Sequence, residues 1–455
     1  MNDTTIFALA SGGARAGVAV LRLSGPGAGD ALAALTPGRN VPAPRKASLR
    51  DLHDPASGET LDQALVVRFP GPGSFTGEDV VELHLHGGPA VVEGVLAALG
   101  RIPGLRPAEA GEFTRRAFLN GRLDLTQAEA IADLVAAETS EQRRQALDQA
   151  AGALGQIYEG WRTRLIAAIA HVEAGIDFAD EDLPEDIDRA ARDALAVLAG
   201  EIAAHLDDGR RGERLRAGVH LALLGRPNAG KSTLLNLLAG RDAAIVSETA
   251  GTTRDVIEVH LDLGGVPVIV ADTAGLRDST DAVEREGVRR AAARADWADL
   301  KLIVLDRADW PDVPDDLRAL GADGRALVLV NKADLAPVDG LGNLDLDGAP
   351  VLALSARTGA GVDDFIIRLT EAVRGLALAG AGAGAAPGPT RARHRHALEE
   401  ARTALAQALD GWSTRGPEMV AEDLRLAARA IGRITGRVDV EDLLDVIFAD
   451  FCIGK

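Results

Sequence analysis

The chain has a single cysteine, Cys452, in 455 residues, which excludes an intramolecular disulfide framework and fits a reducing compartment. Lysine is scarce, at positions 46, 231, 301, 332 and 455 only, so arginine supplies nearly all of the 49 positive side chains. Where arginine serves as the general cation, a retained lysine points to a demand for a compact ammonium or a flexible stem. No apolar stretch is long enough to span a bilayer, and Met1-Asn2-Asp3-Thr4-Thr5 lacks the basic start and apolar run of a signal peptide. A cytoplasmic protein without a membrane partner is expected. An excess of positive charge is missing too. The formal net charge of −19 argues against a broad nonspecific nucleic-acid surface, though not against a local basic patch.

What is present suffices for roughly three domains, and 47% apolar residues give each one material for a core. Residues 1–119 read as an α+β module. Gly17–Gly25 and Leu61–Phe69 are strand-like, Asp79–His86 alternates, and Gly87-Gly88-Pro89 leads into a helical run through Val91, Val95, Leu96 and Leu99. Residues 120–214 read as helical: no proline falls between Thr126 and Ala174, and apolar residues recur there at helical spacing. Residues 215–376 carry nucleotide motifs. The Ala/Gly run from Ala379 to Pro389 reads as a linker, and helices return to the end of the 377–455 segment. The economical architecture is a discontinuous helical domain with the nucleotide domain inserted.

The central motif is Gly225-Arg226-Pro227-Asn228-Ala229-Gly230-Lys231-Ser232, a phosphate loop between the strand-like His220–Leu224 and an apolar helix opening at Thr233. Its glycines let successive N–H groups point at phosphates, and the helix N-terminus adds partial positive charge. Lys231 reaches the β- and γ-phosphates and Ser232 ligates Mg²⁺ in this reading. Ser247-Glu248-Thr249-Ala250-Gly251-Thr252-Thr253 forms a first switch, with Thr253 as a second Mg²⁺ hydroxyl. A hairpin turning at Gly264-Gly265 delivers Asp272-Thr273-Ala274-Gly275, where Asp272 holds the Mg²⁺ shell and the Gly275 amide senses the γ-phosphate.

Base choice is read from Asn331-Lys332-Ala333-Asp334. A carboxylate at Asp334 accepts from two adjacent guanine N–H groups, a donor pair that adenine lacks. Lys332 lays its stem along the base, and Ser355-Ala356 offers a backbone N–H to the guanine oxygen. GTP is therefore expected rather than ATP. Leu276 stands where many signalling GTPases carry a water-positioning glutamine, so another group must place the water. Asn228 is either a ligand for a monovalent cation beside the phosphates or an ordinary loop residue; its chemistry alone leaves both open.

These motifs, with Ala-Gly-Thr-Thr-Arg-Asp at 250–255, Asp-Thr-Ala-Gly-Leu-Arg at 272–277 and the terminal Phe451-Cys452-Ile453-Gly454-Lys455, resemble the MnmE (TrmE) family of tRNA uridine-modification GTPases. Ser74-Phe75-Thr76-Gly77-Glu78-Asp79, His86-Gly87-Gly88-Pro89 and residues 111–121 extend the likeness over essentially the whole chain. The resemblance implies a multidomain α/β and α fold: a folate-binding, dimerising N-terminal α+β domain, a split helical domain and an inserted Ras-like G domain with a mixed, mostly parallel sheet. It implies a homodimer whose G domains pair in a K⁺-dependent manner to hydrolyse GTP. It further implies an FAD-dependent partner (MnmG, also called GidA) forming a heterotetramer, and installation of a carboxymethylaminomethyl-type group at C5 of the tRNA wobble uridine. The one-carbon donor would be 5-formyl- or methylene-tetrahydrofolate.

By position, Asn228, Ser247, Thr249 and Thr252 are similar to the K⁺ loop, Ser232 and Thr253 to the Mg²⁺ ligands. The nucleotide-contacting set also takes in Ala229, Gly230 and Thr233. Glu284 is similar to the residue that orients the hydrolytic water, with Lys231 and Thr253 beside it in catalysis, and Arg22, Glu82, Arg122 and Lys455 to the folate contacts. Some features depart from the family pattern. Ser11–Gly17 is looser than the usual glycine-rich segment, Arg122 stands where lysine is common, and Ser247 and Thr249 are atypical. A ribosome-assembly GTPase acting as a binding timer is the alternative, but it would carry an appended basic RNA-binding module. His84 and His86 share a strand face as ordinary polar residues or a metal pair. Cys452 reads as a thiol near the folate site or a buried structural cysteine. The basic runs Arg391 to His396 and Arg210 to Arg216 read as solvated helix faces or tRNA contacts.

Overall fold

The computed structural model describes residues 4–12, 15–177, 185–240, 244–245, 258–272, 297–336, 345–346, 349–378, 387–438, 441–449 and 451–454. The chain divides into two compact units, one made of residues 1–135, 148–181 and 415–455, the other of 136–147 and 182–414.

The first unit is built on a six-stranded sheet of β1 (Thr5–Leu9), β2 (Val18–Ser24), β3 (Ser48–His53), β4 (Thr60–Phe69), β5 (Val80–His86) and β6 (Leu105–Pro107), in the order β3-β4-β5-β2-β1-β6. Only the β1–β6 pairing is parallel. Alternation decides its two faces. Leu21 and Leu23 of β2 and Val81, Leu83 and Leu85 of β5 point to one side, where Leu32 and Leu35 of helix Ala28–Leu35 and Val95 and Leu99 of helix Pro89–Gly100 close the core. The intervening residues, Arg22 and Glu82 among them, therefore occupy the opposite face, and register sets those two directly across from each other.

The proline-free stretch forms three helices, Leu125–Ala136, Ser140–Ala150 and Ala153–Asp177. The last of these packs on helix Pro417–Thr435. Tyr158, Trp161 and Leu165 are buried on the first partner, and Leu424, Ile431 and Ile434 on the second. Two apolar stripes at helical spacing thus meet across more than 240 residues of intervening sequence, joined at the rim by Arg425 and Glu173 at 2.6 Å.

The second unit holds an eight-stranded sheet: β7 (Val219–Leu224), β8 (Ala244–Ile245), β9 (Glu258–Leu263), β10 (Val266–Asp272), β11 (Leu300–Asp306), β12 (Ala326–Asn331), β13 (Asp345–Leu346) and β14 (Ala349–Ala353), ordered β13-β14-β12-β11-β7-β10-β9-β8. The five central strands are parallel and the two ends antiparallel. Strands covered on both faces read as unbroken apolar runs, and β12 is buried at every position. Leu234, Leu235 and Leu238 of helix Lys231–Ala239 pack on one face with Phe365, Leu369 and Val373 of helix Val362–Leu378. Val313 and Leu317 cover the other. The architecture is multidomain, with a G-domain-like sheet and a helical part.

Helix Glu185–Leu206 packs on helix Ala392–Gly411 in this same unit. Here the expectation of a solvated basic face is corrected at two residues of the 391–396 run, while His396 is exposed as expected. His394 is fully buried and Arg395 is 9% exposed, because Arg395 is folded inward onto Asp208 at 2.6 Å, Glu213 at 3.0 Å and the Leu206 carbonyl at 2.8 Å.

Candidate functional site

The phosphate loop leaves β7 at its carboxyl end, where a doubly covered sheet opens to ligands. Gly225 has φ +145°, and a Cβ there would meet the Val304 carbonyl oxygen at 2.2 Å. Gly230 has φ +96°, and its Cβ would come within 2.1 Å of Asn331 Nδ2. The loop is therefore pressed against β11 and β12 at two points that exclude any side chain. Between them Asn228 takes φ +64°, a left-handed conformation that asparagine tolerates. Lys231 Nζ donates to the carbonyls of Gly225 at 2.8 Å and Arg226 at 2.9 Å, which holds the ammonium over the loop. Ser232 and Thr233 are exposed at the start of the helix, with its N–H groups behind them. Curled amides, a helix N-terminus, a lysine and a hydroxyl are the parts that bind phosphate with a divalent cation, and these residues fit that role.

Asn331 ends β12 and is 3% exposed. Its Nδ2 donates to the Ala229 carbonyl at 2.8 Å and its Oδ1 accepts from Ala356 N at 3.0 Å. One buried amide thus ties the phosphate loop to the Ser355–Ala356 turn. Ser355 is fully buried, and its Oγ accepts from Thr358 N at 3.2 Å. The Ser355 hydroxyl and then Arg357 hold the Asp334 carboxyl below the usual carboxylate range. Lys332 adopts φ +62° and reaches Asp306 Oδ2 at 2.5 Å. Asp306 is itself held below its ordinary range, first by the Ala308 N–H and then by Lys332. The bonds made by Asn331, the Asp306 anchor of Lys332 and the Arg357–Asp334 pair escaped the motif reading. Asp306 sits at the carboxyl end of β11, register partner of Asn331, and position at a strand's carboxyl end was the available signal.

Asp272 closes β10 as register partner of Leu223, two residues before the loop begins. Ser247, Glu248, Thr249, Ala250, Gly251, Thr252 and Thr253 lie outside the described residues, as do Thr273, Ala274, Gly275, Glu284 and Lys455.

A second site lies on the open face of the six-stranded sheet. A cavity of about 240 Å³ is lined by Arg22, Arg45, Phe69, Gly73, Ser74, Phe75, Val80 and Glu82. Arg22 donates to Glu82 Oε1 from Nε at 3.0 Å and from Nη2 at 2.8 Å, and its guanidinium carbon lies 5.6 Å from the Phe75 ring centre. Glu82 Oε2 is left facing His84 Nε2 at 3.5 Å. Arg122 is exposed beside Gly77 and is not among the lining residues. The segments 74–79 and 111–121 meet behind this region. Arg116, 3% exposed, bonds Glu78 at 3.0 Å and Glu112 at 3.0 Å, so these stretches form a buried ion network.

His86 pairs with Asp62 at 2.7 Å, and among the described residues no three His, Cys, Asp or Glu side chains converge as metal ligands. Cys452 is exposed, which removes its reading as a buried structural thiol. Among the described residues no helix is long and apolar enough to cross a membrane.

Comparison with known proteins yields two family profiles. One, described as the MnmE helical domain, matches residues 125–452, and the other, described as the GTP-binding protein TrmE N-terminus, matches residues 5–122. A tRNA modification GTPase MnmE from Paramagnetospirillum magneticum is 58% identical over 455 residues, covering 99% of each chain. One from Parvibaculum lavamentivorans is 56% identical, over 99% of this chain and 100% of the relative. A mitochondrial 5-taurinomethyluridine tRNA synthase subunit from Danio rerio is 49% identical, over 100% of this chain and 93% of the relative.

Proposed function

The chain belongs to the MnmE family of tRNA modification GTPases, and on that premise we propose that it hydrolyses GTP in the modification of the tRNA wobble uridine. The observation that carries the GTPase part is Asn331, whose single buried side chain bonds both the phosphate loop and the Ser355–Ala356 turn. Base-reading and phosphate-binding ends are thereby held at one fixed separation, as a nucleoside triphosphate requires. Asp334 accepts the guanine N–H pair, Lys332 lies along the base with its ammonium anchored on Asp306, and the amides of residues 228–233 with Lys231 hold the phosphates.

Mg²⁺ and K⁺ would supply charge neutralisation at the β- and γ-phosphates. Ser232, Thr253 and Asp272 are assigned to the first ion, and Asn228, Ser247, Thr249 and Thr252 to the second. Glu284 orients the water.

The finer reading is a homodimer in which G domains pair during hydrolysis, working with an FAD-dependent partner in a heterotetramer. The proposed division is 1–119, 120–214, 215–376 and 377–455, with the first part taking a reduced folate as one-carbon donor. Arg22 and Glu82 fit that ligand in kind. They line a cavity together, and Glu82 keeps an oxygen that Arg22 does not use for a ring N–H.

Two experiments test the proposal. GTP turnover is expected to be many-fold faster in K⁺ than in Na⁺, and equal rates would remove the cation role of Asn228. Transfer RNA from cells lacking this gene is expected to lose its C5 wobble-uridine modification. Normal modification would overturn the tRNA function and leave a GTP-dependent binding timer.

A further inference from the structure

Arg357 occupies on Asp334 one of the two N–H contacts that a guanine base would make. Its side chain is 75% exposed, yet its Nη2 donates to Asp334 Oδ2, on a carboxylate that is only 15% exposed. Guanine addresses a carboxylate through two adjacent N–H donors that belong to a guanidine unit within the ring. An arginine carries that same planar donor fork, and a lysine does not. The Asp334 carboxylate has a second tether in Ser355, which is fully buried. The neighbouring cation, Lys332, is engaged with Asp306 and does not compete for it. Arg357 is therefore the cation on Asp334, and among the described residues this ion pair is the contact given for its exposed end.

We propose that Arg357 is an internal guanine mimic that sets how readily the base site is filled. It occupies the Asp334 carboxylate, and the incoming base must displace it. This rests on the reading that Asp334 recognises guanine. Displacement is feasible because an ion pair with one exposed partner is weak, so Arg357 tunes the site without closing it.

The test uses the full-length protein and a fluorescent GDP analogue in stopped flow. Arg357→Ala is expected to speed association and tighten binding by about two- to five-fold, the range an exposed ion pair supports. The gain should fall in KM for GTP rather than in kcat. Arg357→Lys, which keeps the charge and can keep a single N–H contact, should stay closer to the parent than Arg357→Ala. Added guanidinium chloride should slow association in Arg357→Ala more than an equal concentration of tetramethylammonium chloride. Unchanged or weaker binding in Arg357→Ala would overturn the mimic. Asp334→Asn separates the two ideas: it should move preference from GDP to xanthosine diphosphate. If that shift fails, the base reading falls and the mimic with it; if it succeeds without a gain in Arg357→Ala, the mimic alone is wrong.

Discussion

Asn331 Nδ2 donates to the carbonyl oxygen of Ala229 at 2.8 Å, across 102 positions of sequence, and both residues are buried. With its oxygen bonded to Ala356 N, this amide uses its two ends on two different loops. Asn331→Ala would leave a buried carbonyl and a buried N–H without partners. A loss of about 1–3 kcal/mol for each is expected, together with weaker GDP binding. Urea denaturation and a GDP titration check both, and full affinity with reduced stability would show that the link is structural only.

Gly225 admits no side chain. Its φ of +145° disfavours every L-residue, and a Cβ would meet the backbone oxygen of Val304 at 2.2 Å, an atom that cannot rotate away. Gly225→Ala is expected to cost on the order of 3 kcal/mol and to abolish nucleotide binding by lifting the loop from β11. Thermal melting with and without GDP reads this out, the variant showing no nucleotide-induced rise in Tm.

His205 is pushed down to about 4, first by burial, with Asp208 opposing and Arg395 adding to the shift. Unfolded, the imidazole takes up its proton near 6.5. Between those two values the unfolded chain binds more protons, so stability falls as the pH drops through that window and is fully retained above it. The expected loss from this group is roughly 3 kcal/mol by pH 4. His205→Gln should flatten that part of the stability curve relative to the parent, measured by denaturation from pH 7 to pH 4.

Arg395 compensates two carboxylates at once, Asp208 at 2.6 Å and Glu213 at 3.0 Å, and the Asp208 side chain is only 3% exposed. Arg395→Ala would strand Asp208 as a buried charge, with an expected destabilisation of about 3–5 kcal/mol. Arg395→Lys should recover part of it by restoring charge without the fork. Equal melting temperatures for parent and alanine variant would refute the clamp.

Much of the nucleotide site could be read directly from the chain. Residues 225–232 and 331–334 are contiguous, and contiguous residues at the carboxyl end of an apolar strand need only chain connectivity to converge. The apolar stripe after Ala153 announced a packed helix in the same way, because a helix repeats its burial every turn. The basic run at 391–396 misled because charge in sequence does not say which face of a helix it falls on. His394 and Arg395 lie on the inward side of a helix whose partner, Glu185–Leu206, is some two hundred positions earlier.

What the sequence determined by itself was local: a loop that curls, strands that alternate, helices with one apolar face, and a carboxylate of the right type at 334. Only the tertiary structure decided which distant groups complete one another. Strand register, not composition, set Arg22 opposite Glu82, and the packing of β11 beside β12 brought Asp306 to Lys332. The placing of β14 next to β12 brought the turn bearing Ser355 and Arg357 to Asp334. Spacing along a chain encodes a periodicity, whereas the distance between remote side chains is settled only when whole elements bury their apolar faces together.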